Sequence, residues 1–188
     1  MAPLPSSPDR RPSAIGARRP APGTPSAEEL IGRVRAVSGA ADGLVALLDA
    51  RGVAGERHLL SAWAHLGRSR QRGIERLRDR SAEFLLYVAG EPQLPRALAR
   101  VGIAADTESF VAVAEPPRTA TDLVGELGLV VDPEAYPRPV TEAVLDRLGI
   151  DATERSSVPP ALWERLVLER VALVDLSAPP PSRRPSDR

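Results

Sequence analysis

Cysteine and lysine are both missing from the 188 residues. Without cysteine there is no disulfide framework, no thiolate metal site and no cysteine nucleophile. Without lysine no phosphate loop of the form G-x-x-x-x-G-K-[ST] can form. Charge of one sign is missing too: 25 arginines face 25 acids. A protein that blankets DNA needs a strong positive balance, and this one has none. The longest stretch free of Asp, Glu and Arg is ten residues, 58–67. A membrane helix needs about 20, so no membrane partner is expected. No apolar segment follows the first residues, so no secretory signal is expected. These absences predict a soluble, cytoplasmic protein.

Proline is abundant but uneven. Seven of the 20 prolines lie in residues 1–26 and four in 179–188. Both segments lack a helical or strand period, and both read as disordered tails. Each tail is basic, which leaves 18 arginines and 23 acids between them, a net of −5. An acidic domain over 27–178 with basic tails is the expected organisation. About 150 residues bury enough surface to fold without a metal.

Periodicity inside the domain predicts a helix-rich α+β fold. A small mixed or antiparallel sheet of about four to five strands is expected. Residues 33–37 (RVRAV) alternate charged and apolar and read as a strand, as does the apolar run 44–48. Leu59, Ala62, Trp63 and Leu66 share one face of a helix starting near Glu56, which the stretch from Gly67 to Gly73 is expected to break. Ile74, Leu77, Ser81, Phe84, Leu85 and Val88 predict a longer helix that Gly90 caps. A short helix over 94–101, a strand over 110–114 and helices over 121–127 and 141–148 follow. Pro159 and Pro160 suit the first turn of a helix through Leu168. VALVDL at 171–176 reads as a final strand.

Chemistry is scarce. His58 and His65 are the only histidines, with Ser61 between them. On a helix the two imidazoles lie about 10.5 Å apart along the axis, too far to share one zinc ion. A Ser61–His58 nucleophile is the one hydrolytic arrangement available. A histidine pair at the margin of a packed helix is the stronger reading. No cofactor, metal or catalytic residue is expected. The densest cluster is GRSRQRGIERLRDR at 67–80, with Arg68, Arg70, Arg72, Arg76, Arg78 and Arg80 against Glu75 and Asp79. At 100° per residue Arg72, Arg76 and Arg80 would line one helix face with Glu83 and Tyr87. Guanidinium forks bind phosphate, and a ring beside them could stack on a base. A solvated face with local ion pairs is the competing explanation.

Three segments together resemble one family. ALLDARGVAGERHLLSAWAHL (46–66), AEFLLYVAGEPQLPRALARVGI (82–103) and ERVALVDL (169–176) are similar, in order and spacing, to the kinase-binding subunit of the KEOPS assembly, the Cgi family. Matching positions are Val53, Ala54, His58, Glu83, Gly90, Gln93, Leu94, Ala97 and Gly102. The resemblance implies a non-catalytic α/β protein that binds a small Bud-type kinase acting as an ATPase. Through that kinase it would meet the Kae-type transferase, and it would hold the tRNA 3′ CCA end during threonylcarbamoyladenosine synthesis. Pro92 stands where the family has arginine, so Arg96 or the 68–80 cluster would have to supply a phosphate contact. The expected RNA-binding set is Arg68, Arg70, Arg72, Arg76, Arg80, Gln93 and Arg96. The expected kinase contact is Trp163, Leu166, Val171 and Leu173, at an uncovered apolar edge. A free-standing binder of single-stranded RNA, using the arginine cluster, is the alternative function.

Overall fold

The computed structural model describes residues 11–40 and 43–177. Four strands form one antiparallel sheet: β1 (Ser13–Arg18), β2 (Val45–Asp49), β3 (Ser109–Ala114) and β4 (Val130–Val131). Their order is β2-β3-β1-β4, with Gly16 opposite Val111 and Ala46 opposite Val113. The fold is α+β, and helices cover both faces of the sheet. Side chains that alternate along β2 and β3 supply both cores. Leu44, Ala46, Leu48, Val111 and Val113 pack under one set of helices. Val45, Leu47, Phe110, Ala112 and Ala114 pack under the other.

The second layer is α1 (Ala27–Ala40) with α5 (Ala120–Glu126). The first holds α2 (Glu56–Arg72), α3 (Arg80–Ala89), α4 (Leu94–Val101), α6 (Glu142–Arg147) and α8 (Trp163–Leu176), while the short α7 (Ala152–Ser156) contributes no buried residue. Two 3-10 turns, Ala50–Gly52 and Pro160–Leu162, lead into α2 and α8. Among the described residues no helix is long and apolar enough to cross a membrane.

Several sequence expectations hold. Gly90 ends α3 with φ 59°, and α4 stops at Gly102. Thr141 caps α6 by accepting the Val144 N–H. Four expectations need correction. Residues 1–26 are not wholly a tail, because Ser13–Arg18 is an inner strand of the sheet. Gly16 lets it fit there: a Cβ would stand 2.2 Å from the Asp132 carbonyl oxygen. Residues 1–10 and 178–188 lie outside the described residues.

The RVRAV segment is helical, within α1. Leu30, Val34 and Val37 recur at helical spacing and pack on the second core, and the Ser26 and Glu29 side chains each bind the other's N–H. That reciprocal cap is a helix start, and it outweighs a five-residue alternation. The third correction is that α2 runs through Gly67 to Arg72, and α3 starts at Arg80 after the Asp79 cap. Ile74 and Leu77 therefore lie in the connection between them. Last, VALVDL is the end of α8, where Val167, Val171 and Val174 form a buried helical stripe.

Candidate functional site

Most positions that carry the family resemblance are internal. Val53, Ala54, His58, Glu83 and Ala97 are all buried. His58 joins the turn before α2 to the end of α3. The Ala54 N–H donates to its Nδ1 at 3.1 Å, and Nε2 meets the Val88 carbonyl at 2.8 Å. A backbone N–H can only donate, so Nδ1 carries no proton and Nε2–H donates to Val88. Burial pushes the imidazole down to about 4, against a smaller upward pull from the Val88 bond. Both ring nitrogens are spent on main chain, and neither serves Ser61 as a base. The Ser61–His58 nucleophile is therefore overturned. His65 is separate: its Nδ1 donates to Asp175 at 2.7 Å, and Tyr87 donates to the other oxygen of that carboxylate.

Gly90 and Gly102 are close-approach points. At Gly90 a Cβ would meet the Cβ of Arg170 on α8 at 2.8 Å. At Gly102 it would stand 2.5 Å from the Leu98 oxygen.

The arginine cluster does not form one face. Arg72 ends α2, Arg76 lies in the connection and Arg80 opens α3. Arg76 donates to the Val174 carbonyl at 2.7 Å. Arg80 forks onto Glu115, with contacts of 2.6 and 3.1 Å. Arg70 donates to the carbonyls of Leu77 and Arg78. The buried Glu83 carboxylate accepts the N–H groups of Arg76 and Leu77 and the Ser69 hydroxyl. Arg70, Arg76 and Arg80 are thus structural, and of the five cluster arginines expected to bind RNA only Arg68 and Arg72 are left. Tyr87 is 2% exposed, so it offers no stacking surface. Arg68, Arg72 and Arg78 remain exposed, and none has an ion pair among the described residues.

Gln93 and Arg96 are exposed too, at the start of α4. They follow the C-terminal end of α3, whereas the arginine cluster precedes its N-terminal end. Ten residues of helix, about 15 Å, separate the two groups. Leu94 is half-buried against the core.

The expected kinase contact also divides. Leu166 and Val171 are buried and face inward, so they are withdrawn from it. Trp163 is half-buried, and its indole N–H has no partner among the described residues. Leu173 is 46% exposed, and Leu176, absent from the expected set, is 80% exposed. A strand reading of 171–176 put Leu176 on the same face as Val174; a helix places it outside.

Buried acids elsewhere were missed. Asp49, at the end of β2, accepts from Arg51, Thr107 and Arg147. Burial alone would raise its carboxyl, but these bonds outweigh it and hold it below the usual range. A shallow depression of about 600 Å³ lies beside this cluster, lined by Arg51, Val53, Pro137, Arg138 and Thr141. Its guanidiniums are occupied, Arg51 by Asp49 and Asp106 and Arg138 by the Glu134 carbonyl. Among the described residues no group of His, Asp and Glu could hold a metal ion. No protein-family model matches the chain, and no curated protein does.

Proposed function

We propose that the chain is the non-catalytic, kinase-binding subunit of a KEOPS-type tRNA-modifying assembly. One observation carries the reading: the three segments of the resemblance, far apart in sequence, meet around His58 and Gly90. His58 of the first segment bonds Val88 of the second, and Gly90 of the second lies against Arg170 of the third. The resemblance thus falls on residues that fix a fold, as expected of a scaffold. The kinase contact is the outer side of α8, where Leu173 and Leu176 are exposed. The Kae-type transferase is reached only through the kinase. Of the expected RNA-binding set Arg68, Arg72, Gln93 and Arg96 stay exposed; Gln93 and Arg96, which open α4, hold the tRNA 3′ end, and such a subunit works in the cytoplasm.

Co-expression with a Bud-type kinase tests this. A 1:1 complex is expected in size exclusion at micromolar concentration, with no ATPase activity in the chain alone. Separate elution of the two proteins sinks the reading. For the RNA end, Gln93→Ala with Arg96→Ala should weaken binding of a CCA-ended strand. One lost phosphate contact flattens the salt slope by about 0.7. No structural observation favours the stand-alone RNA binder.

A further inference from the structure

We propose that the end of α2, the connection after it and the outer side of α8 form one docking surface for a protein segment whose apolar side chains are flanked by carboxylates. This extends, and rests on, the reading of α8 as the kinase-facing helix. It adds the arginines to that interface and assigns the partner its charge.

Continuity follows from how the two helices run. Arg57 pairs with Glu164 near their starts, and His65 with Asp175 near the end of α8. They are therefore side by side and parallel. Arg68 and Arg72 follow His65 by three and seven residues, about 60° and 20° from it around the axis. Both thus project on the side of α2 that carries His65 to α8, Arg68 about 4.5 Å and Arg72 about 10.5 Å further along the axis, next to and beyond the end of α8. Arg76 fixes the connection to the last turn of α8 through the Val174 carbonyl. Arg70 holds the backbone carbonyl of Arg78 at 2.8 Å, so the third exposed arginine is anchored nearby. Leu176 lies two residues beyond Val174, with Leu173 one turn back.

The chemistry favours a protein over a nucleic acid. Exposed leucines beside guanidiniums gain nothing from a phosphate backbone, but they bury against an apolar side chain. Binding a single strand draws on aromatic platforms. Phe84, Phe110, Tyr87 and Tyr136 are buried, and both tryptophans are half-buried. Of the nearby acids, Asp79 caps α3 and Asp175 takes His65 and Tyr87, which leaves Glu75, exposed in the connection, as one carboxylate beside three arginines. Arg68, Arg72 and Arg78 thus call for carboxylates from outside, next to an apolar contact. Arginine is a residue of choice for such interface ion pairs.

The test uses the full chain and the Bud-type kinase, with a CCA-ended oligonucleotide as the second ligand. An Arg68→Glu, Arg72→Glu, Arg78→Glu variant should keep the parent's circular dichroism and melting temperature. Its kinase affinity should fall about tenfold or more, with slower association and a weaker salt dependence. Leu173→Ser with Leu176→Ser should weaken the same complex through faster dissociation. Oligonucleotide affinity should be unchanged in both. A parent that binds the kinase, with the charge-reversed chain binding it equally well, overturns this proposal alone. So does a charge reversal that acts on the oligonucleotide and spares the kinase, since that outcome assigns the arginines to RNA. A parent that binds no kinase overturns the underlying reading as well.

Discussion

Lowering the pH from about 6.5 to about 4 is expected to remove about 3 kcal/mol of stability through His58 alone. The ring is fully buried, and its pKa falls from 6.5 to about 4 on folding. Between those values the unfolded chain takes up a proton that the native chain refuses. Stability therefore drops as pH falls through this window and levels off below it. The geometry explains why the native state refuses: a proton on Nδ1 would face the Ala54 N–H at 3.1 Å. His58→Gln keeps an acceptor and a donor but cannot be protonated in this range. Urea unfolding at several pH values should show a slope in the parent that is shallower in the variant by this amount. Equal slopes would mean that the imidazole is charged in the native state or reaches solvent. Against a typical total of 5–15 kcal/mol, the effect is large.

His58 also shows what was legible in the sequence. Its apolar helix face announced a packed helix with the histidines at the margin; the helix is packed, but the His58 ring lies fully inside. Where a local rule had no rival, the element was readable: Gly90 after a helical stripe, Thr141 before one, Phe110–Ala114 as a β-branched run. Where two periods overlapped, the shorter pattern misled. RVRAV alternates, yet Val34 and Val37 also complete a helical stripe begun at Leu30. β1 failed for another reason. Ser13–Arg18 has one large apolar side chain, Ile15, because Gly16 and Ala17 fit where neighbours crowd the sheet. Its strand character comes from β3 and the segment at Asp132, both more than 90 residues away. No local pattern could report that.

The arginine cluster failed as a site for a related reason. A count of charges cannot reveal which guanidiniums find acceptors inside the fold. Val174 and Glu115, which take Arg76 and Arg80, lie 98 and 35 residues away. Arg68, Arg72 and Arg78 are left because none of them meets an acid among the described residues. The resemblance was legible through buried positions, so it reported the scaffold. Any contact surface had to wait for α8 to be seen as a helix.

Glu115→Ala should cost about 3–5 kcal/mol, a large share of a typical total of about 5–15 kcal/mol. This carboxylate, at the end of β3, is 3% exposed. It accepts from the Leu44 N–H at 3.0 Å, from the Trp63 indole and twice from Arg80. One buried side chain thus ties β2, α2 and α3 to the sheet. Removing it strands three donor groups, and a buried donor without a partner costs more than a formed bond contributes. Burial alone would raise its carboxyl, but the bonds from Arg80, Leu44 and Trp63 outweigh that and leave it below 4.5. The associated stability is present above the unfolded value of 4.5 and is lost as pH falls through the lower native value. Glu115→Gln keeps an oxygen for Trp63 or Arg80 but turns an N–H₂ toward the remaining donors. A smaller loss, about 1–3 kcal/mol, is expected. Arg80→Ala should cost less than Glu115→Ala, because Trp63 and Leu44 still satisfy the acid. Adding Arg80→Ala to Glu115→Ala should cost less than Arg80→Ala does in the parent, since the guanidinium has already lost its acceptor. Chemical unfolding of the four chains gives the cycle directly. Strict additivity, or a loss below about 1 kcal/mol in Glu115→Ala, would show that the acid and the arginine do not stabilise the fold as a pair.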